Sequence, residues 1–93
     1  MKPVELHVLS ETINSPVIQF PGRQFPGVLI QGDTLFILNG LTKEIEEQAL
    51  GYNNADLNAS IAMLKEKLSG FLEEYEVAMR AHNRQLPYSS MKK

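Results

Sequence analysis

The chain has 93 residues, 43% of them hydrophobic, and a formal net charge of -2 from 9 basic and 11 acidic side chains. A chain of this length makes one domain with a modest core, and its charge balance lacks the basic footprint by which nucleic-acid and acidic-membrane binders recognise phosphates. Cysteine is absent, which excludes disulfides, thiolate nucleophiles and thiolate-bound zinc.

The N-terminus, Met1-Lys2-Pro3-Val4, has no apolar signal-peptide core, so a cytoplasmic location is expected. No apolar run approaches the roughly 20 residues that span a bilayer, and no membrane contact is expected. The expected organisation is a single domain over residues 1–93.

Residues 4–9 alternate, with Val4, Leu6 and Val8 on one side and Glu5 and His7 on the other. That pattern predicts a half-buried strand. Residues 10–16 are rich in Ser, Thr and Asn and end in Pro16, which reads as a connection. Residues 17–20 predict a second strand, and the β-branched and aliphatic residues 27–31 a third, in a central, well-covered position.

Between these strands the triplet Phe-Pro-Gly occurs twice, at Phe20-Pro21-Gly22 and Phe25-Pro26-Gly27. Proline fixes φ at the first central position of a type II turn, and glycine supplies the positive φ at the second. Two such turns predict a stiff loop that presents Arg23 and Gln24 at its tip.

Gly32-Asp33-Thr34 stops the third strand and caps a helix over residues 34–50. Leu35, Leu38, Leu41, Ile45 and Ala49 form its stripe, Gly40 suggests a close contact, and Gly51 ends it. Asn53 and Asn54 open a second helix that runs to residue 82. Residues 86–93 read as a loose tail ending in Lys92-Lys93, from which Leu86 and Tyr88 are able to fold back.

In the second helix Leu57, Ile61, Leu64, Leu68, Phe71, Tyr75, Ala78 and His82 repeat at alternating spacings of four and three. This is a heptad seam with two readings. In one, the helix lies on the first helix and the sheet. In the other, Leu57, Ile61, Leu64, Leu68, Phe71 and Tyr75 join two copies of the chain. Monomer and homodimer both stay open.

Chemistry-bearing residues are sparse. Glu5 and His7 share a strand face, a pairing suited to base and orienter, yet no nucleophile or third ligand accompanies them. His82 alone cannot hold a metal. Glu44, Glu46 and Glu47, and Glu73, Glu74 and Glu76, interleave with Lys43, Lys65, Lys67 and Arg80, as solvated helix faces do. Gly22, Gly27 and Gly32 match neither the dinucleotide nor the Walker pattern. No catalytic set, metal or cofactor is expected. Arg23, flanked by Phe20 and Phe25, has the composition of a protein-binding hot spot; alternatively the two phenylalanines anchor a core and Arg23 only meets water.

The run from Pro16 to Leu35, with its Pro-Gly-Arg, Phe-Pro-Gly and Gln-Gly-Asp elements, resembles a family of small bacterial proteins of unknown function. Pro26-Gly27, residues 28–31 and Gly32-Asp33-Thr34-Leu35 are also similar to the N-terminal domain of HicB-type antitoxins, although no fourth strand and no DNA-binding segment follow. That second resemblance implies a partner that is a small RNA-cleaving toxin.

The expected fold is α+β, a three-stranded, mostly antiparallel sheet followed by two helices (βββαα), with the helices on one sheet face. The expected function is that of a non-enzymatic protein-binding module, antitoxin-like or regulatory, with Arg23, Gln24 and Phe25 as its contact residues. The alternatives are a small metal-dependent hydrolase or nuclease working through the carboxylate clusters, and a nucleic-acid-binding regulator, which the net charge disfavours.

Overall fold

The computed structural model describes residues 2–10 and 15–89. Most of the expected connection, residues 11–14, and the tail residues 90–93 with their Lys92-Lys93 run lie outside the described residues. The elements are β1 (His7–Ser10), β2 (Val17–Gln19), β3 (Gly27–Val28), α1 (Gly32–Ala49), a 3-10 turn (Leu50–Tyr52) and α2 (Ala55–Ala81). This is the βββαα order of an α+β fold. The chain forms two compact units, Met1–Gln31 and Gly32–Lys93.

In the first unit β2 stands between β1 and β3, and both pairings are antiparallel. His7 pairs with Gln19 and Val8 with Ile18, but Ser10 rather than Leu9 pairs with Val17. The extra residue is a β-bulge, which breaks the two-residue alternation locally. The strand expected over 4–9 begins three residues later, at His7, and Val4 and Val8 are exposed, with only Leu6 half-buried.

The third strand corrects its expectation more sharply. It is an edge strand of two residues, and Val28, Leu29 and Ile30 are all exposed. β-branched content reports fitness for a pleated surface, not a place within the sheet. Ladder bonding reaches one residue past β3, where the Leu29 N–H donates to the Pro16 carbonyl at 2.9 Å. Pro16, just before the middle strand, thus joins the ladder through its carbonyl.

The second unit is a helical hairpin. α1 starts at Gly32, two residues before the expected start, with Asp33 in its first turn. The Asp33 Oδ1 accepts from the Thr34 N–H at 2.9 Å, and its charge suits the positive end of the helix dipole. The link between helices turns at Asn53, in the left-handed region at φ 49, a conformation asparagine tolerates better than most residues. Asn54 is the N-cap of α2, its side chain accepting from the Leu57 N–H at 3.0 Å.

Cross-helix pairs run in opposite chain order, so the helices are antiparallel. Lys65 donates to Glu46 at 2.9 Å and the Ser69 hydroxyl to the Asn39 Oδ1 at 2.9 Å. Tyr75 lies against Gly32, where an added Cβ would overlap its ring. Gly40, by contrast, has nothing within 4 Å of such a Cβ, so the close contact in this helix is at Gly32 instead. Leu35, Ala49, Ile61 and Leu72 are the buried apolar residues among those described, joined by Asn39, Thr42 and Glu76.

The expected heptad seam is therefore split. Ile61 is buried and Leu68 and Tyr75 are half-buried, while Leu57, Leu64, Phe71 and Ala78 are exposed. The seam between the helices uses Ile61, Lys65, Leu68, Ser69, Leu72 and Glu76, about half a helix face further round. The chain after α2 folds back: Tyr88 stacks on Phe36 with ring centroids 4.1 Å apart, and its hydroxyl donates to the Glu76 carboxylate at 2.7 Å. Through Tyr88 the tail is ordered rather than loose.

Candidate functional site

The loop from Phe20 to Gly27 carries the candidate site. Its first turn follows the expected chemistry: Gly22 has φ 83, and the Arg23 N–H donates to the Phe20 carbonyl at 3.2 Å. Pro21 fixes the preceding φ, so this turn resembles the type II geometry. The second turn departs from expectation, because Gly27 does not have a positive φ and is already paired with Ile18 in the sheet.

Gln19 supplies a restraint that the sequence did not single out. From the end of β2 its side-chain amide donates to the Arg23 carbonyl at 2.7 Å and to the Phe20 carbonyl at 3.3 Å. One amide therefore clamps both ends of the turn. A glutamine ending a strand just before Pro-Gly was the available signal, but its rotamer is set only once the turn exists.

Arg23, Gln24 and Phe25 are all exposed, Phe25 at 75%. Phe20 is also exposed, so neither phenylalanine anchors a core. Together with Ile18 and Val28 they line an open concavity of about 660 Å³. Arg23 also borders a smaller depression of about 250 Å³ with Glu5, His7 and Gln19. Glu5 and His7, the residues expected to share the polar face of the first strand, thus line the same depression as the loop's arginine. A planar five-donor guanidinium beside an aromatic ring can fork onto a carboxylate while the ring covers apolar area.

The remaining candidates do not converge. Among the described residues no group of three or more His, Asp or Glu side chains has the arrangement of a metal site. His82, expected on the heptad seam, is the exposed C-cap of α2, where its backbone N–H donates to the Ala78 carbonyl at 3.2 Å. Glu46 is held by Lys65, and Glu76 is buried rather than on a solvated face. No helix among the described residues is long and apolar enough to cross a membrane.

The fold and loop define a small α+β protein with an exposed, clamped Arg-Gln-Phe tip and an antiparallel helical hairpin. The chain belongs to a family of unknown function (DUF6959), whose model matches residues 1–88. The match spans both compact units. No curated protein and no solved structure matches the chain, and the similarity to HicB-type antitoxins receives no support.

Proposed function

We propose that this chain is a non-enzymatic protein-binding module that contacts its partner through Arg23, Gln24 and Phe25. The supporting observation is the exposed Phe25 beside Arg23 on a loop already clamped by Gln19. A loop restrained before contact loses less conformational entropy on binding. The partner that fits is a protein surface with a carboxylate next to an apolar patch. The readings as a metal-dependent hydrolase or nuclease, and as a nucleic-acid-binding regulator, have no observation in their favour.

The test begins with capture from the native host on immobilised wild-type chain, followed by calorimetry with the purified captured protein. Arg23→Ala and Phe25→Ala are each expected to weaken binding by about 1–4 kcal/mol, the range of hot-spot truncations. Folding stability of Arg23→Ala is expected to change by less than about 0.5 kcal/mol, as for exposed residues generally. Undiminished affinity in both variants would sink the proposal.

A further inference from the structure

The hairpin seam mixes polar with apolar side chains, and a stripe of apolar side chains lies exposed beside it, where a solvated helix face would be polar. Asn39, Thr42, Lys65 and Ser69 lie between the helices, while Leu41, Ile45, Leu57, Leu64 and Phe71 are 46%, 45%, 38%, 50% and 60% exposed. At about 100° per residue, Leu41 and Ile45 fall to one side of the buried positions of α1. Leu57, Leu64, Phe71 and Ala78 fall to one side of those of α2. Because the helices are antiparallel, these two sides form the same face of the hairpin. Ser60, Lys67 and Glu74, each three residues after a stripe residue, run along its outer edge on α2, and Gln48 borders it on α1. An apolar centre with a polar rim is the anatomy of a protein interface.

We propose that this face joins a second copy of the chain, two hairpins closing into a four-helix bundle. Three observations favour a second copy as the occupant. The first is length. At about 1.5 Å per residue the stripe from Leu57 to Ala78 runs roughly 30 Å, and a second hairpin offers a matching stripe of equal length. The second is periodicity. Leu57, Leu64, Phe71 and Ala78 recur every seven residues, the repeat that keeps a helix in register with other helices. In an antiparallel two-fold arrangement Leu64 meets Phe71 of the second copy and Leu57 meets Ala78, so the stripe is complementary to itself. The third is area. The five half-exposed side chains present roughly 500 Å² per chain, the upper range of the largest patch on a typical monomer, which is often functional. With the rim included, that approaches the roughly 800 Å² per partner of a stable complex. Neither proposal depends on the other.

Sedimentation equilibrium of the full chain from low micromolar to near-millimolar concentration tests this. The expected result is a species of twice the 10.5 kDa chain mass. Leu64→Asp and Phe71→Asp are each expected to weaken the dimer on the order of 100-fold, as loss of a central apolar anchor does, with helix content by circular dichroism retained. Met63→Asp, about a quarter turn round α2 from the stripe, is expected to leave the dimer intact. A strictly monomeric wild type overturns the proposal. So does a dimer that survives both stripe substitutions, or one that Met63→Asp dissociates equally. A monomeric wild type whose melting temperature falls on Phe71→Asp at every concentration would instead place an occupant within the same chain.

Discussion

Tyr88 ties the end of the described chain to the hairpin, and its ionisation reports that tie. Burial, and then the hydrogen bond to Glu76, raise its phenol well above the ordinary tyrosine value of 10.0. An ionised Tyr88 would also place a second negative charge beside the Glu76 carboxylate. Because the folded state holds this proton more tightly than the unfolded chain, the associated stability is fully present below about pH 10. It is lost as pH rises beyond that point. Thermal melts across the alkaline range are expected to show a stability decline in the wild type that Tyr88→Phe reduces. At neutral pH the same substitution is expected to cost about 1 kcal/mol, the net worth of a typical hydrogen bond. Identical alkaline slopes in the two proteins would show that Tyr88 is not the group responsible.

Within α1, two glycines separate packing from propensity. At Gly32 an added methyl would enter the Tyr75 ring, whereas at Gly40 it would meet open space. Alanine gains about 1 kcal/mol over glycine in a helix interior, while overpacking costs about 1–3 kcal/mol. Gly40→Ala is therefore expected to stabilise by up to about 1 kcal/mol, and Gly32→Ala to destabilise by about 1–2 kcal/mol. Urea titrations of the two variants check the opposite signs. The sequence could not distinguish these positions, because the distinction depends on where Tyr75 lands from 43 residues away. Helix and strand order was legible from periodicity and turn residues, as were the Asn54 cap and the turn at Gly22. The helix seam was not. Apolar spacing finds the apolar stripe of α2, but the cross-helix contacts include Asn39–Ser69 and Glu46–Lys65, which carry no hydrophobic period. The extent of β3 was also hidden, since two pairing residues and an exposed apolar run read alike as a longer strand. At the loop, the Pro-Gly pair and its flanking Arg and Phe were visible in the sequence, whereas the Gln19 clamp needed the folded turn.

At the scale of the molecule, the described residues include no fully buried side chain, and four apolar residues make up the buried apolar set. Hydrophobic burial is the main favourable term in folding, so so thin a core leaves a single chain marginally stable. If the apolar hairpin face is covered by a second copy, assembly supplies the missing burial and stability becomes a function of concentration. Raising the chain concentration 100-fold adds about 2.7 kcal/mol per dimer by mass action. With an unfolding entropy near 2.1 cal/mol/K per residue, this is expected to raise the melting temperature by about 5–10 °C. Phe71→Asp, over concentrations at which its weakened dimer is dissociated, is expected to melt at one temperature. The driving force is apolar and the charges of Lys67 and Glu74 lie at the rim of the face, so the wild-type shift should persist at about 1 M salt, where the Debye length is about 3 Å. Calorimetric scans of both proteins over the same concentration series decide the matter. A wild-type melting temperature that does not move with concentration would separate stability from assembly.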